Sequence, residues 1–506
     1  MPPAPRAAVL LILGWVALNL AYLGWFCPLD LSPDEAHYWH WSRRLDGGYY
    51  SKGPLVAWLI RGSCELFGTS AFAVRLPAVL ASAALLAAVF ELARYALRDD
   101  RAALATVAAA VALPPTSAGA VLMTIDPPFL ACWAWALVGV QRGSLGGWLL
   151  AGICSALGVM AKYPMLLFPA AVLGFLFTTR RDELRRPGVW LFVALTGVGC
   201  VPLVVWNAAN DWVSLRHVLG QSGVGDGVKP RSADGLNALR FVATQAGVLL
   251  GTGLAAFAAA AWSFRRTTDT SLSLLWWASV PVWGVFLAAS VRNPGQPNWP
   301  AAAYVGGLVL AAAWVRQHGS RRTVIGTAVV GLVVSGAVRF PALLLPLAAD
   351  PTEANPTPVR RFDPTARLRG WRTLAAELDR VRDRVKWETG ADPVLAGVRW
   401  HVPGELAFYC RGRPDAYSFG PALEDRHSQY DLWRPNPTAD AQVFRGRSFI
   451  YVGEEIPAAD RVFERVEPPF QVVHAEFGVP VSAWTVWVGH GFRGFPEGYR
   501  VTRPTY

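Results

Sequence analysis

Residues 7–26, AAVLLILGWVALNLAYLGWF, run almost directly into Ser32-Pro33-Asp34-Glu35-Ala36-His37-Tyr38-Trp39-His40-Trp41. The first stretch is long enough to cross a bilayer as one helix, which takes about 20 residues. The second sets two carboxylates side by side at its exit. An acid near a bilayer must recover its desolvation, so the pair marks either a helix start or a site of chemistry. Trp25 and Phe26, just before Cys27, are too bulky for a signal cleavage site, and the span is expected to be retained as the first transmembrane helix.

Working outward, 53% of the 506 residues are hydrophobic and only 16% are charged. A soluble chain carries about a quarter charged residues, so the composition predicts an integral membrane protein with a second, soluble region. The net charge of +11 does not signal nucleic acid, because the arginines gather at the ends of apolar runs rather than along a polar stripe. Apolar runs near 7–26, 71–97, 102–121, 127–141, 148–161, 164–178, 188–207, 238–263, 272–291, 300–315 and 323–347 predict about eleven helices. The runs at 148–161 and 164–178 are too short for full crossings and are expected to meet near Lys162-Tyr163-Pro164. After residue 347 the composition turns polar. Residues 368–385 have helical spacing, and 393–398, 448–452, 471–477 and 483–488 read as strands, which predicts a soluble α/β domain over 348–506 behind a membrane domain over 1–347.

Alternate connections carry Arg98 and Arg101, Arg142, Arg180, Arg181, Arg185 and Arg186, Arg265 and Arg266, then Arg316, Arg321 and Arg322. The positive-inside rule makes that side cytoplasmic. The first external loop (27–70), the Asp126-Pro127-Pro128 turn, Lys162, the 208–237 loop, the 293–300 loop and the C-terminal domain are then expected outside. The first loop also holds Arg43, Arg44, Lys52 and Arg61, which suggests a local anionic partner. Six scattered cysteines give no zinc spacing, and a Cys27–Cys64 bridge is left open.

Asp34 and Glu35 fall in the first turn of a helix whose His37, Tyr38, Trp41 and Leu45 share one side, so capping and a favourable dipole contact compete with a catalytic role. Lysine is scarce: only Lys52, Lys162, Lys229 and Lys386 occur. A lysine retained among arginines suits a compact point charge on a phosphate, against the alternative of a snorkelling interfacial side chain. Asp126 before a double proline is also a helix-start pattern. Two carboxylates and two lysines are expected to converge at one membrane face. The loops 206–212 and 296–300, rich in tryptophan and amides, suit stacking on sugar faces or an aromatic belt. Gln429–Trp433 in the soluble region suits an acceptor contact, but reads more readily as a surface turn with a packed Trp.

The order of these pieces resembles the GT-C superfamily of polyprenyl-phosphate-sugar-dependent glycosyltransferases, in the bacterial branch of the protein O-mannosyltransferase and lipid A aminoarabinose transferase group. The resemblance rests on Asp34-Glu35, the Lys52-Gly53-Pro54-Leu55 segment, the Asp126-Pro127 turn, the short-helix pair joined through Lys162, and Gln296-Pro297-Asn298-Trp299-Pro300. It implies a multi-pass enzyme of the bacterial inner membrane, with its active site and C-terminal domain facing the periplasm. The enzyme would move a sugar from a polyprenyl-phosphate donor to a hydroxyl of an envelope lipid, glycan or protein, without nucleic acid as a partner. Asp34 would be the base of a single inverting displacement, with Glu35 in support and Asp126 as a further carboxylate. Lys52 and Lys162 would contact the donor phosphate, and Tyr50, His37, Asn298 and Trp299 the substrates. Members of the aminoarabinose type have an acid before the lysine and Pro-Pro after it, where Ser51 and Gly53-Pro54 stand here. That acid belongs to a zinc set in the branch, so no metal ligands are assigned and a divalent cation is left open. His37 and His40 suit packing or hydrogen bonding better than ligation. A lipid transporter or flippase is the rival class, but it favours repeated halves, and none is visible.

Overall fold

The structure is a computed structural model and describes residues 4–221, 235–293, 295–347, 352, 357–361, 363, 365–423, 427–456 and 459–496. Part of the expected 208–237 loop, with Lys229, lies outside these residues, as does most of the expected boundary at 348–356. The chain forms two compact units, Met1–Phe26 with Asp46–Gly336, and Cys27–Leu45 with Ala337–Tyr506.

The first unit is helical. Among the described residues, Ala4–Phe26, Ala71–Leu97, Pro187–Ala209, Thr270–Ser290 and Arg321–Arg339 are long and apolar enough to cross a membrane. The pair Leu236–Val248 and Thr252–Ser263 makes a sixth if its 111° bend lies within one span. The expected count of eleven is thus not reached by this criterion, and the breaks have local causes. Pro114 and Pro115 split the 102–121 run into Asp100–Ala112 and Pro114–Gly119, since proline removes a helical donor and clashes with the preceding turn. Leu250 and Gly251, both at positive φ, split 238–263. The short helices Leu145–Ala161 and Tyr163–Thr179 meet at Lys162, as expected.

The Asp126–Arg142 helix packs tightly on Leu145–Ala161, because Gly139 and Gly147 each lie against the other's carbonyl and leave no room for a Cβ. Small residues at such crossings let membrane helices gain close contact. Several arginine-bearing connections join at one end of the unit. Arg98 pairs with Asp269 and Arg316 with Asp99, both at 3.0 Å. Gln141 bonds Ser271 and Thr179 bonds Ser273 at the same ends. Asp126 lies at the other end of the helix that finishes with Arg142.

The second unit is a small mixed sheet with helices. Strands β1 (Val394–Gly397), β2 (Ala416–Ser418), β3 (Phe449–Val452), β4 (Arg465–Val466), β5 (Phe470–Glu476) and β6 (Val479–His490) run in the order β2-β1-β3-β6-β4, with β5 also paired to β6. β1 is parallel to β2 and β3, and β6 is antiparallel to its three partners. Phe419, Phe449, Tyr451, Phe463 and Phe492 fill the core on one face. The expected strands and the helix (Trp371–Thr389) are present; β2 and β4 were not legible, being only three and two residues long.

Residues 27–45 are built into this second unit. Asp30 accepts hydrogen bonds from the backbone N–H groups of Trp371 (2.8 Å) and Arg372 (3.4 Å), capping the Trp371–Thr389 helix. The Leu31 N–H donates to the Tyr409 hydroxyl at 2.6 Å. The Pro33–Ser42 helix lies so close to Val402–Tyr409 that a Cβ on Gly404 would stand 2.9 Å from the Ala36 carbonyl.

Candidate active site

Three of the expected site residues meet in the first unit. Pro127 and Pro128 start the helix at Asp126, since proline is tolerated where no helical donor is needed. Leu145–Ala161 ends at Lys162, where the extended backbone and Pro164 stop it. Lys162 Nζ then lies 2.7 Å from Asp126 Oδ1. Asn298 Nδ2 donates to Asp126 Oδ2 at 2.6 Å, and Lys162 Nζ reaches the Asn298 carbonyl at 3.4 Å. Thr124 Oγ1 accepts from the Asp126 N–H at 3.3 Å, and Phe129 offers its ring to the ammonium at 5.6 Å. The side chains of Lys162 and Asp126 are only 8% and 16% exposed, which strengthens their attraction over that of a surface pair. The arrangement fixes a carboxylate and an ammonium at a helix N-terminus, a place suited to negative charge.

The Lys52 segment is fastened to the same region of this unit. Gly53 packs on the Met160 carbonyl, two residues before Lys162, with no space for a side chain. The Tyr49 N–H donates to the Lys52 carbonyl at 3.1 Å, closing a tight turn. Upstream, Asp46 Oδ2 accepts from Trp206 Nε1 at 2.8 Å while its Oδ1 accepts from the Gly47 N–H. Asp46 was missed in the sequence because Asp-Gly-Gly reads as an ordinary turn. Tyr50 is buried with its ring 5.1 Å from His217, and Trp299 packs beside Phe286.

Asp34, Glu35 and His37 belong to the second unit. Glu35 is fully buried and completes a capping box: its Oε2 accepts from the Ser32 N–H at 2.8 Å, and its own N–H donates to Ser32 Oγ. Capping, weighed in the sequence against catalysis, is therefore part of what Glu35 does. Asp34, less buried, accepts from the Tyr38 hydroxyl at 3.2 Å. His37 sits among the rings of Trp41, Trp400 and Tyr430. His40 Nδ1 bonds the Tyr430 hydroxyl at 3.0 Å, so both imidazoles are engaged in packing. The anionic partner sought for Arg43 and Arg44 is Asp415, 3.4 Å from each. Its carboxyl is held down at about 2, first by the His40 contact and then by the two arginines. Asp30, unforeseen in the sequence, is raised by burial, with Arg372 opposing.

Among the described residues, the His, Cys, Asp and Glu side chains that converge closely enough for a metal are Glu388, Glu467 and His490, but Arg384 already bonds Glu467 at 2.7 Å. The six cysteines are free thiols, so Cys27 and Cys64 are not bridged.

Residues 51–206 match the family described as dolichyl-phosphate-mannose-protein mannosyltransferase. The chain is 30% identical over 321 residues to the lipid A galacturonosyltransferase RgtD of Rhizobium johnstonii, which covers 61% of this chain and 65% of that protein. It is 28% identical over 174 residues to the undecaprenyl phosphate-alpha-4-amino-4-deoxy-L-arabinose arabinosyl transferase of Pseudomonas aeruginosa, covering 29% of this chain and 32% of that one. The chain thus spans less than two thirds of the length of either relative. The crystal structure of ArnT from Cupriavidus metallidurans in the apo state has the same fold, with a TM-score of 0.64 at 16% identity over 96% of this chain and 98% of that one. Residues 51–206 therefore carry the sequence pattern described as dolichyl-phosphate-mannose-protein mannosyltransferase, and the chain has the fold of the Cupriavidus metallidurans structure.

Proposed function

We propose that the chain is a glycosyltransferase of the bacterial inner membrane that moves a sugar from a polyprenyl-phosphate donor to a hydroxyl of lipid A. The observation that carries this reading is the Lys162–Asp126 pair, a largely buried ammonium and carboxylate at a helix N-terminus within residues 51–206, with Asn298 bonded to the carboxylate from beyond that stretch. The donor class follows the undecaprenyl-phosphate sugar named for the Pseudomonas relative, and the acceptor class follows the lipid A named for the Rhizobium relative.

In the proposed reaction Asp34 takes the proton of the acceptor hydroxyl as its oxygen attacks the anomeric carbon. The bond from that carbon to the phosphate oxygen breaks, and the polyprenyl phosphate leaves with the electron pair. One displacement inverts the anomeric centre. Phosphate is already a good leaving group, so stabilising its charge matters more than protonating it; Lys52 and Lys162 supply that charge. Glu35 keeps Asp34 in register by capping its helix, and Asp126 orients Lys162. Asn298, Trp299, Tyr50 and His37 shape the substrate contacts directly or through packing.

The arginine-rich connections support a cytoplasmic assignment for their end of the helices and a periplasmic one for the Asp126 end. Mass spectrometry of lipid A from a deletion strain tests the reading. Loss of one sugar mass, restored by the wild-type chain and not by Asp34→Asn, is the expected result. An unchanged lipid A profile would reject lipid A as acceptor.

A further inference from the structure

The apolar interior of the first unit contains a polar chain that the proposed chemistry does not use. Gln245 is completely buried on the Gly235–Val248 helix. Its Nε2 donates to the Pro297 carbonyl at 3.2 Å, and its Oε1 accepts from the Tyr304 hydroxyl at 2.8 Å. Trp283 Nε1 donates to that same hydroxyl at 3.0 Å. The direction is fixed throughout: an indole N–H can only donate, so the Tyr304 oxygen accepts from Trp283 and gives its proton to Gln245 Oε1. The amide NH2 must then face the Pro297 carbonyl.

Trp283 and Tyr304 come from the Val280–Ser290 and Ala301–His318 helices, so three helices contribute to one carbonyl contact. A buried amide without partners costs a few kcal/mol, and an intramembrane polar chain of this kind points to function. Its end point is one residue before Asn298, whose side chain grips Asp126 and whose carbonyl meets Lys162.

We infer that Gln245 and Tyr304, steadied by Trp283, are positioning residues that fix the Pro297 peptide and so hold Asn298 on Asp126. This rests on the reading of Asp126 as part of the working site. Gln245 and Tyr304 share no hydrogen bond or ion pair with Asp126 or Lys162, and their influence passes through the 297–298 backbone. Misplacing a supporting group by about 1 Å can cost up to a hundredfold in rate, so a loss of roughly tenfold is expected when the chain is cut.

The test is a double-mutant cycle on the initial rate of lipid A modification in the complemented deletion strain, normalised to the amount of chain in the membrane. Gln245→Leu and Tyr304→Phe should each lower the rate, by about tenfold for Gln245→Leu, and should have no further effect when Asn298→Ala is present. A merely structural contribution would multiply with Asn298→Ala instead. Multiplying losses, with Asn298→Ala itself impaired, would overturn the relay alone. Full activity of Asn298→Ala would overturn the relay together with the reading of the Asp126 group. If Gln245→Leu does not accumulate, Tyr304→Phe, which keeps the ring, carries the same cycle.

Discussion

Lys162 Nζ is 2.7 Å from Asp126 Oδ1, and Asn298 closes on the other oxygen at 2.6 Å, so the carboxylate is held from both sides. Removing one member of such a pair strands the other in a poorly solvated place, at about 3–5 kcal/mol. Lys162→Met and Asp126→Asn are each expected to lower the thermal midpoint in detergent. The double variant should recover much of the stability of the singles but none of the transfer, because the proposed phosphate contact is gone. Transfer retained by the double variant would remove Lys162 from the mechanism.

Gly53 lies against the Met160 carbonyl. Gly53→Ala has to push the Lys52 turn away from the Leu145–Ala161 helix, an overpacking change that costs about 1–3 kcal/mol. A chain that still folds should show weaker use of donor, read as a higher KM for donor with acceptor KM unchanged.

Glu35 and Asp34 are neighbours to which the proposed reaction gives different tasks. Glu35→Gln keeps an oxygen for the Ser32 N–H but loses the charge at the helix start, so stability should fall by about 1 kcal/mol. Transfer should fall less than for Asp34→Asn. A Glu35→Gln chain of native stability but no activity would move the base to Glu35.

His401 is partly buried, beside Trp371 and Trp400. Burial pushes its imidazole down to about 3, with Arg399, Arg367 and Arg360 adding to the effect. An unfolded histidine titrates near 6.5. Between those values the unfolded chain binds the proton and the folded chain does not. The stability from neutral His401 is therefore full above pH 6.5 and falls as the pH drops towards 3. At pH 5 the loss is up to about 2 kcal/mol. Thermal midpoints at pH 7 and pH 5 should differ less for His401→Gln than for the wild type.

The helical class, the sheet in the C-terminal unit and the Asp126–Lys162 meeting were legible because apolar runs, alternation and the Lys162-Tyr163-Pro164 break carry local signals. The span count was not, since Pro114-Pro115 and Leu250-Gly251 interrupt runs that composition alone reads as continuous. Nor was the membership of 27–45 in the second unit legible. It depends on Asp30 bonding to Trp371 and Arg372, more than three hundred residues away. Gln245 and Tyr304 were silent for the same reason: a lone amide and a lone phenol in apolar helices gain meaning only once the loop they hold is seen.

The most direct measurement adds the purified chain to membrane lipids extracted from the deletion strain, which hold unused donor and unmodified acceptor. Mass spectrometry then follows the sugar-bearing product and the released polyprenyl phosphate. The wild-type chain should form both together, and Asp34→Asn should be slower by at least about a hundredfold, the scale of general-base catalysis. Product formation by Asp34→Asn at the wild-type rate would contradict the account.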